Sequence, residues 1–293
     1  MPELPDVELY RDALARRIVG HVLERVELRS PFLLRTAVPP LDTVDGKRVQ
    51  AIRRLGKRII IALEQEFFLV VHLMIAGRLR WLAAEAKPPV RITLALFHFD
   101  GGRLAFTEAG TKRRASLHVV EGEAGLAAFD MGGLEVASSS AEAFDERLTR
   151  ENHTLKRALT DPRLFSGIGN AYSDEILHRA KLSPLALTSK LSPSDRRRLR
   201  EATIDVLAEW TDRLAKESGD AFPEKVTAFR PQMTVHGRFG KPCPVCGSPV
   251  QRIVYAENEC NYCAVCQTQG RVLADRSLSR LLHETFPRSI DER

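Results

Sequence analysis

The sequence of 293 residues has no cysteine before position 243 and no long apolar run. Its longest apolar runs, residues 59–63 and 67–71, contain five residues each, whereas a membrane-spanning helix needs about 20. The cysteine-free N-terminal part has no disulfides, a pattern typical of a reducing compartment. These absences exclude a disulfide-stabilised miniprotein and predict a chain without membrane-spanning helices.

The first residues, Met1 to Asp6, also lack the basic patch and apolar segment of a secretory signal. We therefore expect a cytoplasmic protein, associated with the nucleoid if the organism is bacterial. At roughly 100–200 residues per domain, the length predicts two or three domains.

Acidic residues are missing from residues 46–61, a stretch that is rich in positive charge. Its basic residues are Lys47, Arg48, Arg53, Arg54, Lys57 and Arg58. The whole chain carries a formal net charge of +6, and basic clusters attract polyanions such as nucleic acids. A solvated basic face is the alternative, and this stretch on its own favours it.

The N-terminal part shows the pattern of a helix followed by strands. Apolar residues recur at three- and four-residue intervals between Asp6 and Val19, which predicts an amphipathic helix. Short segments rich in Val, Ile, Leu and Phe follow, and residues 100–102 predict a hairpin turn. The predicted strands are residues 57–63, 67–72, 92–100 and 103–107. We expect a mostly antiparallel sheet with a leading helix.

A linker without strong periodicity is predicted near residues 130–141, and helical spacing follows it. The predicted helices are residues 148–159, 171–179 and 193–216. We therefore expect an α+β multidomain fold in which a helical middle domain follows the sheet. The domain boundaries that we expect are residues 1–135, 136–230 and 231–293.

Four of the five cysteines form two Cys-x-x-Cys pairs, Cys243 with Cys246 and Cys263 with Cys266. The pairs are separated by 16 residues, which is within the spacing of zinc ribbons. Four thiolates leave no open position on Zn²⁺, so we expect one structural zinc ion that holds a β-hairpin. Redox dithiols or unliganded thiols are the alternatives. Cys260 is expected to be a spare side chain on the hairpin.

The turn from Gly167 to Asn170 precedes a predicted helix. Backbone N–H groups at the positive end of a helix suit a phosphate, so this turn is a candidate phosphate-binding site. The alternatives are a plain turn between helices and a helix cap formed by Asn170.

The N-terminus offers a candidate nucleophile. Pro2 is small enough for removal of Met1, which would leave a secondary α-amine. Such an amine is more often neutral at cytosolic pH than lysine and attacks an aldehydic carbon to give an iminium. Glu3 and Asp6 are close enough in sequence to supply acid–base chemistry. In isolation these residues favour the ordinary alternative, a common Met-Pro start with acidic residues at a helix N-terminus.

Together these features resemble the formamidopyrimidine-DNA glycosylase and endonuclease VIII family, known as Fpg/Nei. The resemblance covers essentially the whole chain. The motifs that carry it are Met1-Pro-Glu-Leu-Pro-Asp-Val-Glu8, Lys57, His72-Leu73 with Gly77, Gly167-Ile-Gly-Asn170-Ala-Tyr172-Ser-Asp-Glu175, Val235-His-Gly-Arg238-Phe-Gly-Lys-Pro-Cys243 and Cys263-x-x-Cys266-Gln267.

The resemblance implies a monomer with a β-sandwich lobe and a helical lobe, which carries a helix–two-turn–helix motif and a zinc finger. Double-stranded damaged DNA would lie in the cleft. Pro2 would attack C1′ of the damaged nucleotide, form the iminium and lead to β- and δ-elimination, with Glu3 as the general acid/base. Lys57 would contact phosphate and assist catalysis.

The resemblance also implies roles for residues of the helical part. Asn170 and its turn would hold backbone phosphates beside Lys156 and Tyr172. Glu175 matches an acidic position of the family near the active site.

Some positions depart from the family pattern. Ile75 stands at the intercalating methionine position, and the phenylalanine wedge is missing from residues 108–116, where Arg113 and Arg114 are expected to contact DNA. Asn258 aligns with the finger-tip arginine, and Asp6 stands where glutamate is usual. These changes leave iminium chemistry in place and put lesion choice and δ-elimination in question.

The resemblance therefore predicts a bifunctional glycosylase and AP lyase of base-excision repair. We expect oxidised purines of the 8-oxoguanine and formamidopyrimidine type as substrates, with oxidised pyrimidines or abasic sites as the alternative. A non-catalytic protein that binds damaged DNA is the second alternative. A zinc-ribbon module for RNA or protein is the third, and it leaves the N-terminal pattern unexplained.

Overall fold

The computed structural model describes residues 1–110, 112–224, 226–227, 229–255, 258–273 and 289–290. The chain forms two compact units. Unit 1 comprises residues 1–131 and 210–227, and unit 2 comprises residues 132–209 and 228–293. The three-domain division with boundaries after residues 135 and 230 stays a prediction.

Unit 1 is built on antiparallel strands. In order across the sheet they are β5, β7, β6, β1, β2, β3, β4 and β8. Their bounds are Val22–Leu28 for β1, Lys47–Leu55 for β2, Arg58–Leu63 for β3, Phe67–His72 for β4, Gly77–Leu82 for β5, Thr93–Phe99 for β6, Gly102–Glu108 for β7 and Ser116–Glu121 for β8. Only two residue pairs join β1 to β2, so the strands form two four-stranded halves. The predicted antiparallel architecture is confirmed.

The strand sequences reflect their burial in the sheet. Every residue of β6 is buried, and β3 is buried from its second residue onward, as expected for continuous apolar runs inside a sheet. The predicted hairpin at residues 100–102 is confirmed, because Phe99 pairs with Gly102. Lys57 was predicted to begin a strand, but it lies in the two-residue turn before β3.

Helix α1 spans Leu4–Ile18 and opens unit 1. It begins two residues before the predicted start because the Glu3 backbone N–H donates to Asp6 Oδ2 at 3.0 Å, which satisfies a helix-end donor. The periodic residues Val7, Tyr10 and Leu14 are buried, as the amphipathic pattern predicts. Helix α2, Gly122–Ala127, packs its Leu126 against the apolar face of β3 and β4.

Unit 2 contains the helices of the middle of the chain. They are α3 at Ala141–Thr149, α4 at Leu155–Thr160, α5 at Asn170–Arg179 and α6 at Pro193–Ser218. The last turns of α6, from Trp210, belong to unit 1.

The single helix predicted at residues 148–159 is wrong, because the chain leaves the helical path between α3 and α4. Thr188 stabilises this non-helical segment: its hydroxyl donates to the Glu151 carbonyl at 2.8 Å and accepts from the His153 N–H at 3.2 Å. These bonds replace the helical hydrogen bonds of that segment.

The end of unit 2 holds a β-hairpin and a short helix. Strand β9, Gln251–Tyr255, pairs antiparallel with β10, Asn258–Tyr262, and helix α7 spans Ala264–Thr268. This arrangement confirms the predicted α+β class with a cysteine-bearing hairpin. In the part of the chain that the structure describes, none of the helices has the length and apolar character needed to cross a bilayer.

We predict that Asp6→Ala lowers the free energy of unfolding by about 1–2 kcal/mol, because the Glu3 N–H loses a charged acceptor. Urea unfolding of the full chain measures this change. Asp12→Ala on the same helix is the control, since within the described residues its carboxylate bonds the half-exposed Arg11 side chain. Equal midpoints for both variants would contradict the capping role.

Candidate functional site

The N-terminal amine of unit 1 lies among charged side chains. Burial lowers the pKa of the Met1 amine, and Arg78 and Lys57 lower it further, while Glu3 and Asp6 oppose the change. The amine is therefore within electrostatic reach of both Glu3 and Lys57. The catalytic roles of Pro2, Glu3 and Lys57 stay predictions.

Two elements fix this arrangement. Pro2 and Glu3 are buried directly before α1, and the Leu79 N–H of β5 donates to Tyr10 Oη at 3.3 Å, which ties α1 to that strand. Lys57 is half-buried in the turn between β2 and β3, and α1 packs against these two strands. The site is thus built where a helix N-terminus meets the turns of the sheet.

Ile75 lies at an exposed turn between β4 and β5, and 55% of its surface is accessible. Gly77 closes this turn by donating its N–H to the Leu73 carbonyl at 2.9 Å. A Cβ on Gly77 would lie 2.3 Å from that oxygen, so only glycine fits. Arg78 Nη1 donates to the Ile75 carbonyl at 3.1 Å. This hydrogen bond fixes the backbone that carries the exposed Ile75 side chain.

Arg113 and Arg114 lie in the segment between β7 and β8, where Thr111 is outside the described residues. The buried carboxylate of Glu108 holds the end of this segment, since Oε1 accepts the Arg114 N–H at 3.0 Å. Both arginines are exposed, and Arg113 Nη2 donates to the Arg91 carbonyl at 3.1 Å. Their contact with DNA stays a prediction.

In unit 2, Lys156 is engaged within the protein. Its Nζ donates to the Asn170 carbonyl at 2.6 Å, to Ser173 Oγ at 2.8 Å and to Asp174 Oδ1 at 2.5 Å. An ammonium group has three N–H donors, and these three acceptors use all of them. Lys156 therefore holds the start of α5 in place instead of presenting a free donor to a phosphate.

Asn170 is the first residue of α5, and Gly169 is its cap, so the expected alternative of an Asn170 cap is wrong. Asn170 Nδ2 donates to the Glu259 carbonyl at 2.9 Å, which ties the helix start to β10. Tyr172 is fully buried, and burial does not favour its predicted phosphate contact.

Two adjacent carboxylates of α5 hold the segment that leads to the hairpin. Burial raises the pKa of Asp174, but Lys156 and His236 outweigh it and the net pKa is lowered. Asp174 Oδ2 accepts from His236 Nδ1 at 2.8 Å. Glu175 accepts the backbone N–H groups of residues 234, 235 and 236 at 2.8–2.9 Å. Glu175 is thus an internal anchor of unit 2.

The four predicted zinc ligands come together in pairs. Cys246 Sγ lies 3.4 Å from Cys263 Sγ, and Cys243 Sγ lies 4.0 Å from Cys266 Sγ. Burial raises the pKa of Cys246, but hydrogen bonds from Ser248 and Cys263 outweigh it and lower the pKa to about 7. A cysteine binds a metal ion as the thiolate, the form that a lowered pKa favours.

His178 joins this group although no sequence pattern predicts it. Its side chain and those of Cys243, Cys263 and Cys266 offer ligand atoms that all lie within 4.8 Å of one another. Burial lowers the pKa of His178 to about 4, so its imidazole is neutral.

A donor set of clustered thiolates suits a soft ion that prefers tetrahedral coordination, such as Zn²⁺.

Cys260 is buried among Ile253, Tyr262 and Ala264, as an apolar side chain would be. Asn258 is exposed at the start of β10, and residues 256 and 257 are outside the described part. Asn258 aligns with the finger-tip arginine of the family, and a role for it at the tip stays a prediction.

Comparison with known families assigns most of the chain. The family model for the formamidopyrimidine-DNA glycosylase N-terminal domain matches residues 1–115, and that for the H2TH domain of the same glycosylase matches residues 133–218. The chain belongs to the formamidopyrimidine-DNA glycosylase family.

Individual relatives agree along nearly the whole chain. The formamidopyrimidine-DNA glycosylase of Thermus thermophilus is 34% identical over 283 residues, which cover 92% of this chain and 100% of the relative. That of Desulforamulus reducens is 32% identical and covers 91% of this chain and 99% of the relative. A solved complex between the Lactococcus lactis Fpg and an abasic-site DNA is 27% identical, with a TM-score of 0.80 over 91% of this chain and 99% of the other.

Three supporting residues were missed from the sequence. Arg78 lowers the pKa of the Met1 amine, and the Glu108 carboxylate accepts a backbone N–H of the loop after β7. The His178 side chain lies beside those of the clustered cysteines. The sequence did contain a signal for Arg78, because this charged residue directly follows the motif glycine Gly77. We find no such signal for the other two, because their partners depend on how distant segments pack.

We predict that Lys156→Met lowers the free energy of unfolding by about 3–5 kcal/mol, because it leaves the Asp174 carboxylate buried without its cation. Chemical denaturation of the full chain, followed by a probe in unit 2, measures the loss. The exposed Lys190→Met is the control and should unfold as the parent does. Similar denaturation midpoints in the two variants would contradict the anchoring role of Lys156.

Proposed function

We propose that this protein is a DNA glycosylase of base-excision repair with an associated AP lyase activity, acting on double-stranded damaged DNA as a monomer. The observation that carries the proposal is the placement of Pro2 and Glu3, which are both buried directly before α1, next to a Met1 amine whose pKa burial lowers. Family membership supports it, because the relatives are named as glycosylases and one was solved with abasic-site DNA.

The chemistry follows from the amine. With Met1 removed, the secondary amine of Pro2 attacks C1′ of the damaged nucleotide and the base leaves. The C1′–O4′ bond then breaks as O4′ takes a proton, which opens the sugar ring and leaves nitrogen and C1′ as an iminium. Removal of a proton from C2′ lets the 3′ phosphate leave in β-elimination. Loss of the 5′ phosphate follows in δ-elimination. Glu3 exchanges protons at the deoxyribose, and Lys57 contacts a phosphate.

A base inside the duplex is out of reach of this amine, so the nucleotide must leave the stack. Ile75 presents an exposed apolar side chain on a held turn, which suits insertion into the vacated space. Arg113 and Arg114 are exposed cations that suit the phosphates or bases beside it.

Unit 2 contributes binding. The positive N-terminus of α5, with Asn170 at its first position, suits a backbone phosphate. Lys156 supports this turn from inside, and Asn258 is exposed on the hairpin for contact with DNA. We assign one structural zinc ion to Cys243, Cys246, Cys263 and Cys266, where it crosslinks the hairpin and supplies no reaction chemistry.

Oxidised purines of the 8-oxoguanine and formamidopyrimidine type are the proposed substrates. The relatives from Desulforamulus reducens and Thermus thermophilus support this choice, because they are formamidopyrimidine-DNA glycosylases by name. Oxidised pyrimidines and abasic sites are the competing substrates, because Ile75 and the segment of residues 108–116 differ from the family pattern at the intercalating and wedge positions.

Strand cleavage of matched duplexes tests the proposal. Duplexes with 8-oxoguanine, an oxidised pyrimidine or an abasic site are incubated with the parent protein, Glu3→Gln and Lys57→Ala. We expect cleavage by the parent and a loss of at least about 100-fold for Glu3→Gln, since a general acid/base contributes that much.

Arg48→Ala is the matched control, because Arg48 is an exposed cation of the same basic stretch. It should cleave as the parent does. Tight binding of all duplexes without cleavage of any would favour the non-catalytic protein and overturn the proposed activity.

The pH dependence of abasic-site cleavage tests the amine. An amine attacks only when it is neutral, so a lowered pKa shifts the rising limb of the rate profile to lower pH. Arg78 lowers the pKa of the Met1 amine, one residue before Pro2. We expect the same effect on the Pro2 amine, so Arg78→Gln should raise its pKa and shift the limb to higher pH. Arg80→Gln on the same strand is the control. An unshifted limb in Arg78→Gln would contradict the electrostatic role of Arg78.

A further inference from the structure

His178 is a buried side chain that the proposed reaction does not use. It lies near the end of α5, and its Nε2 is 3.4 Å from Cys243 Sγ. The two residues are 65 positions apart in the chain, so the contact joins separate elements of unit 2.

The sulfur geometry shows how a metal would fit beside this histidine. A tetrahedron with metal–sulfur bonds of about 2.3 Å has edges of about 3.8 Å. The distances from Cys246 to Cys263 and from Cys243 to Cys266, 3.4 and 4.0 Å, correspond to two opposite edges and lie on either side of that value. Both distances fit a site of four thiolates, and His178 Nε2 then lies beside one vertex, the Cys243 sulfur.

We propose that His178 is a positioning residue of the metal site, whose Nε2–H donates a hydrogen bond to the Cys243 thiolate. A metal-bound thiolate carries no proton, so the imidazole must be the donor. Four thiolates around a divalent ion leave a net charge of −2, and a donor on one sulfur stabilises that charge inside the protein. The bond also ties α5, whose first residue is Asn170, to the metal site.

This inference rests on the zinc site proposed above. It is tested with the full chain, because no part of it has been shown to fold alone. The zinc-loaded parent, His178→Leu and His178→Gln are titrated with a chelator, and the retained zinc is measured. Leucine removes the donor, whereas the amide nitrogen of glutamine replaces it.

We expect His178→Leu to weaken zinc binding by about 10–100-fold, as the loss of such partners does, and His178→Gln to recover most of it. The control is His98→Leu in unit 1, which removes another buried histidine and should retain zinc as the parent does. Equal retention by the parent and His178→Leu would overturn the inference. A parent that binds no zinc would instead overturn the zinc site itself.

The Co²⁺-substituted proteins distinguish a hydrogen-bond donor from a ligand. With four thiolate ligands, His178→Leu keeps the intensity of the sulfur-to-cobalt charge-transfer band and shifts it to lower energy, because the sulfur loses a donor. Cys246→Ser reduces that intensity. A band unchanged by Cys246→Ser and altered in intensity by His178→Leu would make His178 the fourth ligand and contradict the proposal.

Discussion

The buried carboxylate of Asp174 is the constraint on which unit 2 depends. A charge removed from water costs several kcal/mol unless it is paired and hydrogen-bonded. Lys156 and His236 supply these partners from α4 and from the segment before the hairpin, and the Asn261 N–H supplies a third at 3.1 Å. One charge on α5 thereby fixes the positions of the neighbouring helix, the hairpin and the turn that begins at Gly167.

Both units hold their candidate functional groups in the same way, through hydrogen bonds to the backbone groups next to them. In unit 1, Glu108 and Gly77 hold the backbones of two exposed turns, and the bond from Glu3 to Asp6 fixes the helix start beside the amine. In unit 2, Glu175 holds three successive N–H groups. Groups that must act on DNA are thus carried on rigid supports, which keeps the entropic cost of placing them small.

Local patterns in the sequence predicted much of this architecture. Rules on local sequence patterns were enough for three features: the apolar periodicity of α1, the hairpin turn at residues 100–102 and the two Cys-x-x-Cys pairs. Each of these patterns is formed by residues that are close together in the sequence. The break between α3 and α4 is stabilised by Thr188, and the contact of His178 depends on Cys243; both partners lie far along the chain. The internal hydrogen bonds of Lys156 to the start of α5 also join separate elements, so its sequence neighbours did not reveal them.

The central claim is that the amine of Pro2 forms a covalent bond with DNA. Its most direct test is borohydride reduction of the protein with an abasic-site duplex, followed by mass spectrometry of the N-terminal peptide. We expect a peptide that begins at Pro2, lacks Met1 and carries the reduced deoxyribose. A parent protein with a free Pro2 and tightly bound DNA that yields no adduct, or an adduct on a lysine, would contradict it.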